Sequence, residues 1–346
     1  MAFPKVMPLG ESEIIQQRLG IAILGLGTFS KERIIPAVHQ SSYCGLAAVI
    51  CGDDHDKKQV AGQYNIDEDQ VFYYDEMDTI SEDRGIRLVY IAVPNALHHK
   101  YALKAAAAGK HILCEMPLAT SVKECGEIVA AAKNHKVRLY NSYHLQFSPW
   151  HQEMERLGTC GVMGKVKQIK ARYSRRLNAG NDDWRLKKEM AGGGALLDLG
   201  LWLVQACRHI SGEEPVFVKA YKENKPSATD REIEDAVHWE MSFPSGAIAD
   251  CSCSYGDEQN LIEVEAEKGT FSLNPAFDPQ KIRGEVNKEE MKFPEVMPEE
   301  VLLDHVAYSI IYNEPSPVNG AEGLKDMRVI AAIYRSIDSG KEERLL

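Results

Sequence analysis

The hydrophobic positions of this chain follow two different patterns, one in each half. In the first half, short apolar runs alternate with segments of helical periodicity. The runs are residues 21–24, 46–50, 88–93, 111–114 and 137–140. Apolar strands that alternate with helices are typical of a parallel sheet covered by helices on both faces. Residues 19–142 are therefore predicted to form a doubly wound α/β domain.

In the second half, apolar and polar residues alternate with a period of two, as in residues 237–243 and 262–267. This period indicates strands with one buried and one solvated face, and such strands usually form antiparallel sheets. Turn-forming residues follow both segments, at 244–246 and 268–269. Residues 143–346 are therefore predicted to form an α+β domain with a large, mostly antiparallel open sheet.

Two further expectations concern the ends of these domains. Residues 1–18 show no periodicity, so we expect an N-terminal arm. Helical periodicity returns at residues 301–312 and 324–337, which provides helices to cover one face of the open sheet. The other face stays free, so we predict a homodimer or homotetramer formed through the C-terminal sheet.

Composition excludes several classes of partner. The chain is acidic, with a formal net charge of -11, which argues against nucleic acid or an anionic membrane surface as a partner. We see no apolar run of the ~20 residues that a membrane span requires, and no signal peptide. The eight cysteines lie mostly in apolar runs and suit reduced thiols in a cytoplasmic protein. No metal site is predicted, since Cys251 and Cys253 have no second ligand pair at suitable spacing.

A glycine-rich turn follows the first apolar strand, with Gly25 and Gly27 followed by Ser30 at the third small position. The first glycine permits a tight turn, the second lets the backbone approach a pyrophosphate, and the helix N-terminus supplies amide donors. Because the turn stands between a strand and a helix, it predicts a dinucleotide site. Thr28 and Phe29 lie within this turn and belong to the predicted site.

The end of the second strand distinguishes NAD from NADP, because an acidic residue there would bind the ribose 2′-hydroxyl of NAD. Cys51 and Gly52 occupy that point, and both are small and neutral. They leave room for a 2′-phosphate, which Lys57 or Lys58 could neutralise. Two aspartates follow, at 53 and 54, and they would repel a phosphate that they faced. On balance the sequence favours NADP(H) over NAD(H).

Three motifs taken together resemble the Gfo/Idh/MocA oxidoreductase family, and within it most closely the glucose–fructose oxidoreductases. They are the glycine turn, the pair of segments 94–98 and 115–117, and the glycine run 192–200. The resemblance implies hydride transfer between a nicotinamide cofactor and a small carbohydrate or polyol. It also implies the remaining cofactor contacts, which would come from Pro94, Asn95, His98, Glu115, Met116, Trp184 and Arg185.

The chain departs from the family at the residues that handle the substrate proton. The family has lysine where this chain has Met116, and histidine or tyrosine where it has Trp202. The family aspartate that holds sugar hydroxyls is matched by Asp198, and a second one is replaced by Gln205. Asp198, Trp202 and Gln205 are spaced to share one helical face. The resemblance thus implies a substrate site formed by Met116, Asp198 and Trp202.

A replacement for the lost lysine is available at Tyr143 and His144, which follow the last strand of the first domain. Doubly wound sheets bind ligands at that edge, and an imidazole titrates near neutral pH. Tyr143, His144 and Asp198 are therefore the predicted catalytic residues. Loss of a general acid–base costs roughly 10²–10⁴-fold in rate. A catalytically silent sensor or assembly subunit therefore stays open as an alternative, as does sugar hydrolysis through transient oxidation.

Overall fold

The computed structural model describes residues 18–52, 54–177, 180, 183–223, 233–256 and 258–345, and every structural statement below concerns these residues. The predicted N-terminal arm, apart from Arg18, and the acidic residue Asp53 lie outside them.

The first sheet has six parallel strands in the order β3-β2-β1-β4-β5-β6. The strands are β1 Leu19–Leu24, β2 Cys44–Cys51, β3 Val71–Tyr73, β4 Leu88–Ile91, β5 His111–Cys114 and β6 Leu139–Asn141. The strand order reverses between β1 and β4, and in such sheets a ligand binds at the carboxyl ends beside that reversal. The predicted dinucleotide-binding fold is confirmed.

Helices connect these strands and cover both faces of the sheet. They are the π-helical turn Ser30–Ile34 with α1 Ile35–Gln40, α2 Lys57–Tyr64, α3 Asn95–Ala107 and α4 Val122–Asn134, with short 3-10 turns at Glu68–Gln70 and Tyr74–Ser81. The β1 and β4 strands and the second half of β2 are almost wholly buried, which explains their uninterrupted apolar sequences.

The second sheet has nine strands in the order β14-β13-β12-β11-β7-β10-β9-β8-β15. The strands are β7 Val166–Ser174, β8 Phe217–Lys222, β9 Ala236–Ser242, β10 Ile248–Ser254, β11 Gln259–Ala266, β12 Gly269–Leu273, β13 Gly284–Val286, β14 Glu289–Glu290 and β15 Glu343–Arg344. All neighbouring pairs are antiparallel except β7 and β10, which run parallel. The predicted α+β domain with a mostly antiparallel sheet is also confirmed.

The remaining helices pack on one face of the second sheet or return to the first. They are α5 Pro149–Thr159, α6 Lys188–Ala191, α7 Leu201–Ser211, α8 Pro298–Tyr312 and α9 Gly320–Ser339, with 3-10 turns at His144–Phe147 and Trp184–Leu186 and a π-helical turn at Leu196–Gly200. The stretch Lys188–Ser211 is long and apolar enough for a membrane span. However, 78% of its most apolar window is buried inside the protein, as in the core helix of a soluble domain.

The predicted division at residue 143 differs from the structure in one respect. Helix α8 follows the second sheet in sequence, but its apolar face packs into the core of the first sheet. Leu302, Leu303 and Val306 are buried there against β1 and β2 residues. The chain beyond α8 also reaches β6, where Asn141 donates its backbone N–H to the Val318 carbonyl (2.8 Å). The C-terminal region therefore completes the first domain as well as the second.

Candidate active site

The glycine turn has the geometry that a dinucleotide pyrophosphate requires. Gly25 has a φ of 103°, and a Cβ there would lie 2.3 Å from the Ala92 carbonyl oxygen, so only glycine fits. A Cβ on Gly27 would meet no atom within 4 Å, which leaves the backbone open to a ligand. Thr28 and Phe29 are exposed and begin the helix that continues into α1. The residues present therefore fit the predicted cofactor.

The end of β2 provides a polar surface for the adenosine end of that cofactor. Gly52 lies beside the Asp54 carboxylate, which pairs with His55 at 2.9 Å. Lys57 is held by Glu76 at 2.6 Å, whereas Lys58 is exposed. The Cys51 thiol is buried in the core beside the Phe72 carbonyl, so the predicted cofactor position at Cys51 would involve its backbone, and this contact stays a prediction.

Three polar side chains meet at the carboxyl ends of β4, β5 and β6. The Tyr90 hydroxyl donates a short hydrogen bond to the Glu115 carboxylate and lies 3.0 Å from the Ser142 hydroxyl. Glu115 also accepts from the Met116 backbone N–H (3.3 Å). Burial raises the pKa of Glu115 to about 7, since desolvation disfavours the carboxylate more than these hydrogen bonds favour it. A carboxyl group whose pKa is raised to near neutral pH therefore stands directly beside Met116.

Met116 is partly buried and packs against both hydrophobic cores. The buried His98 ring lies within hydrogen-bond distance of the backbone on either side of it, including that of Pro117 next to Met116. Its Nδ1 lies 2.7 Å from the Pro117 carbonyl oxygen and its Nε2 2.8 Å from that of Val93. The predicted contact of His98 with the cofactor is therefore wrong, because the ring is buried and both nitrogens face backbone carbonyls.

Asn95 joins the two domains at the start of α3. Pro94 is the residue before this helix, and the Asn95 side chain donates to the Ala191 carbonyl of α6 (2.9 Å). This hydrogen bond ties α6, which directly follows the turn containing Trp184 and Arg185, to the start of α3. The Arg185 guanidinium lies 4.8 Å from the centre of the Trp184 ring, and both side chains are half-exposed. Their contact with a cofactor stays a prediction.

Asp198 stands at the centre of a second polar group, in the π-helical turn before α7. Arg175 at the end of β7 donates to its Oδ2 at 3.1 Å, and the Tyr255 hydroxyl donates to the same oxygen at 3.2 Å. The Asp198 side chain keeps 26% of its surface exposed. A partly exposed carboxylate with an arginine and a phenol beside it can bind vicinal hydroxyl groups as donor and acceptor.

His144 lies between the predicted cofactor turn and the predicted substrate helix. Its ring centre is 6.1 Å from that of Phe29 and 4.9 Å from that of Trp202. The residue is 7% exposed, and its Nδ1 has no hydrogen-bond partner among the described residues. Burial lowers the pKa of His144, so the ring is neutral at physiological pH and able to accept a proton.

Tyr143 does not reach the cleft, although it precedes His144. It is 1% exposed, and its hydroxyl donates a short hydrogen bond to the buried Asp326 of α9. Arg208 of α7 also contacts Asp326, and it pairs with Glu322 at 2.8 Å. The prediction that Tyr143 takes part in catalysis is therefore wrong. The residue anchors the interdomain segment to a buried ionic network.

Sequence reasoning missed four participants in this region: Tyr90, Arg175, Tyr255 and the ion pair of Arg33 with Glu299. Arg33 donates to both carboxylate oxygens of Glu299 at 2.9 Å, and this links the helix after the glycine turn to α8. The sequence itself contained a hint only for Arg175, because that residue lies in a short run of basic residues. The others are single residues whose partners are distant in sequence. The described residues contain no group of His, Cys, Asp and Glu that could hold a metal ion.

Comparison with known proteins agrees with this fold. Residues 19–143 match the family model of an oxidoreductase family with an NAD-binding Rossmann fold, and residues 151–272 match the GFO/IDH/MocA C-terminal domain. The chain therefore belongs to the GFO/IDH/MocA family of oxidoreductases, and the predicted family is confirmed.

Particular relatives act on carbohydrates or related alcohols. An aldose–aldose oxidoreductase from Caulobacter crescentus, solved with glycerol, is 33% identical, with a TM-score of 0.90 over 95% of this chain and 100% of that one. A D-xylose 1-dehydrogenase (NADP(+)) from Haloferax volcanii is 27% identical over 92% of this chain and 97% of its own. A trans-1,2-dihydrobenzene-1,2-diol dehydrogenase from Mus musculus is 27% identical over 80% of both chains.

Proposed function

We propose that this protein transfers hydride between a nicotinamide cofactor and a CH–OH group of a sugar or polyol, with His144 as the group that exchanges the hydroxyl proton. An aldose oxidised at carbon 1 is the leading substrate class, because relatives over the whole chain include xylose 1-dehydrogenases and an aldose–aldose oxidoreductase. The observation that carries the proposal is the position of His144, between Phe29 of the glycine turn and Trp202 of the substrate helix.

The cofactor would be held by the glycine turn at Gly25–Gly27 and by the carboxyl ends of β2 and β4. When bound, the nicotinamide ring supplies the hydride chemistry. NADP(H) is favoured over NAD(H), because Cys51 and Gly52 are small and neutral and the exposed Lys58 could neutralise a 2′-phosphate, whereas the Asp54 carboxylate beside Gly52 would oppose it. The xylose dehydrogenase relatives are NADP-dependent by name, which supports the same choice.

The substrate would lie between His144 and the group formed by Asp198, Arg175 and Tyr255. Asp198 would accept from sugar hydroxyls, and Arg175 would donate to the same or adjacent ones. Trp202 offers an aromatic face beside them. These contacts would orient the reacting carbon, and the neutral His144 ring would accept the hydroxyl proton.

A second candidate function follows from Met116. Its thioether cannot exchange a proton, and it packs against both cores as a structural residue would. We therefore keep open a catalytically silent relative that binds cofactor and sugar as a sensor or assembly subunit.

The test combines binding with turnover. Titration calorimetry would measure affinities for NADP⁺ and NAD⁺, and a panel of aldoses, polyols and inositols would then be followed for reduced nicotinamide. The Met116→Lys variant would run in parallel. Tight NADP⁺ binding with turnover by the natural chain supports the oxidoreductase. Binding without turnover, with activity restored only in Met116→Lys, supports the silent relative.

A further inference from the structure

The ion pair of Arg33 with Glu299 joins two elements that both contact His144 or its turn. Arg33 belongs to the π-helical turn Ser30–Ile34, which directly follows Phe29, and the Phe29 ring centre is 6.1 Å from that of His144. Glu299 lies in the first turn of α8, and α8 packs against the 3-10 turn His144–Phe147. The pair therefore connects the two elements that flank the candidate base.

Glu299 lies on the side of α8 that faces this turn. The Phe147 ring centre is 5.0 Å from that of His305, and Phe147 belongs to the same core cluster as Leu303. Glu299 precedes Leu303 by four residues, so the two side chains share one face of the helix. Both are buried. The buried face of α8 thus presents a carboxyl group to the segment that carries His144.

The carboxyl group of Glu299 is held tightly by a cation. Arg33 donates from Nε to one carboxylate oxygen at 3.0 Å and from Nη2 to both oxygens at 2.9 Å. The Glu299 side chain is 1% exposed, whereas that of Arg33 keeps 23% of its surface in solvent. An arginine stays protonated in proteins, so a pair of this geometry presents a carboxylate. Because water does not screen a buried charge, this carboxylate acts on its neighbours more strongly than an exposed one would.

Three titratable groups act on His144 from the elements packed around it. Burial lowers the pKa of His144, the Glu299 carboxylate raises it, and the Arg33 guanidinium lowers it. The third group is His151 of α5, and burial lowers the pKa of its own ring to about 3, so it stays neutral. Helix α7 presents to His144 the uncharged indole of Trp202. Within the described part of the chain, Glu299 is therefore the anion that acts on the candidate base.

We propose that Glu299 is a positioning residue for the reaction, which stabilises the protonated ring of His144, and that Arg33 fixes its carboxylate for this purpose. This inference rests on the proposed function. When an alcohol is oxidised, its C–H bond breaks with the electron pair going to the nicotinamide, and its O–H proton goes to His144. The imidazole becomes a buried cation, and the Glu299 carboxylate offsets part of the cost of that charge. The proton stays on His144 and does not pass to Glu299.

The test compares Glu299→Gln with Glu300→Gln, which removes the same charge one residue further along α8. Successive helix residues point about 100° apart, so Glu300 lies off the face that carries Glu299. NMR titration of the histidine rings measures the pKa of His144, whose signal is identified by its loss in His144→Gln. This titration needs neither cofactor nor sugar. Steady-state kinetics over a range of pH then measures the effect on turnover.

We expect Glu299→Gln to lower the pKa of His144 and to move the acid limb of the kcat/KM profile to lower pH. A weaker base also slows the chemical step, so kcat for sugar oxidation should fall by roughly 3–10-fold, with the NADP⁺ affinity unchanged. Glu300→Gln should change none of these. Arg33→Met removes the cation instead, so it should raise the pKa of His144. A purely structural pair would lose stability in both variants without moving this pKa in opposite directions.

The outcomes separate the role of Glu299 from the activity itself. An unchanged His144 pKa in folded Glu299→Gln overturns the proposal and leaves the oxidoreductase standing. Turnover by Met116→Lys alone, with none by the natural protein, overturns the proposed function and the role of Glu299 in it, whatever the titration shows. If Glu299→Gln does not fold, its unfolding midpoint reveals this. Arg33→Met then decides through the same titration, where a raised pKa supports the proposal and an unchanged one overturns it.

Discussion

The imidazole ring of His144 meets the indole ring of Trp202 edge to face, with ring centres 4.9 Å apart and an interplanar angle of 64°. The family resemblance predicts a proton-handling histidine or tyrosine at the position of Trp202. The contact therefore places a titratable ring beside that position. His144 follows the last strand of the first sheet, and Trp202 lies on α7, 58 residues further along the chain.

If His144 exchanges the substrate proton, its removal should affect rate far more than binding. We expect His144→Ala to lower kcat/KM by roughly 10²–10⁴-fold and to leave the NADP⁺ dissociation constant within about twofold. Steady-state kinetics and calorimetry measure the two effects. The exposed His39, replaced by alanine, is the matched control and should change neither. Equal activity of His144→Ala and the natural protein would remove His144 from the mechanism.

Glu115 should make the protein less stable as the pH rises through neutrality. The pKa of the Glu115 side chain is raised from 4.5 to about 7 in the folded state. Below about pH 4.5 this side chain is therefore protonated in the folded and in the unfolded protein alike. Between these values the unfolded chain loses the proton first, so its ionisation favours unfolding. Glu115→Gln stays neutral and should gain stability relative to the natural protein by on the order of 3 kcal/mol across this window.

Urea unfolding at about pH 5 and about pH 8 measures this difference. The exposed Glu68, replaced by glutamine, should show no such change with pH. A constant difference between Glu115→Gln and the natural protein at both pH values would show that Glu115 is ionised throughout.

The buried ionic network around Arg208 should contribute strongly to folding. Asp326 is 0% exposed and accepts from Arg208 and Tyr143. Arg208→Met leaves this carboxyl buried without its cation, so we expect a loss of roughly 3–5 kcal/mol in the free energy of unfolding. Arg335→Met, at a pair that is largely exposed, should cost about 1 kcal/mol or less. Urea denaturation compares them, and similar losses in both variants would contradict this account.

The outer face of the second sheet carries exposed apolar side chains. Tyr221 is 60% exposed, Ile248 is 44% exposed and Phe217 is 37% exposed. If this face forms the predicted homodimer or homotetramer, the double variant Tyr221→Glu, Ile248→Glu should shift the mass in solution to that of a smaller species. Light scattering after size exclusion measures the mass. Val162 lies outside the sheet, so the control variant Val162→Glu should leave the mass unchanged. An unchanged mass in the double variant would contradict the predicted interface.

The fold could be predicted because its strands are local patterns in the sequence. Uninterrupted apolar runs indicated the parallel sheet, and alternation with period two indicated the antiparallel one. Helix α8 shows the limit of this reasoning. Its periodicity indicated a helix, but periodicity gives no information about which of two cores a helix joins, and α8 joined the earlier one.

The candidate site was predicted in part, for a related reason. The glycine turn at Gly25 and Gly27 is formed by residues that are neighbours in the sequence, so its position and role could be predicted directly. Tyr143 could not, because the partner of its hydroxyl, Asp326, is 183 residues away in sequence. The partners of Asp198 directly follow β7 and β10, so only the folded sheet brings Arg175 and Tyr255 to it. The titration of Glu115 near neutral pH depends on burial, which the sequence does not display.

Direct hydride transfer by the natural chain is the central claim, and isotope transfer tests it most directly. NADP⁺-loaded protein would be mixed with D-xylose and other aldoses carrying deuterium at carbon 1, and the nicotinamide would be recovered for mass spectrometry. We predict that deuterium appears on the reduced nicotinamide in a single turnover of the natural protein. Deuterium transfer by Met116→Lys alone, with none by the natural chain, would contradict the claim.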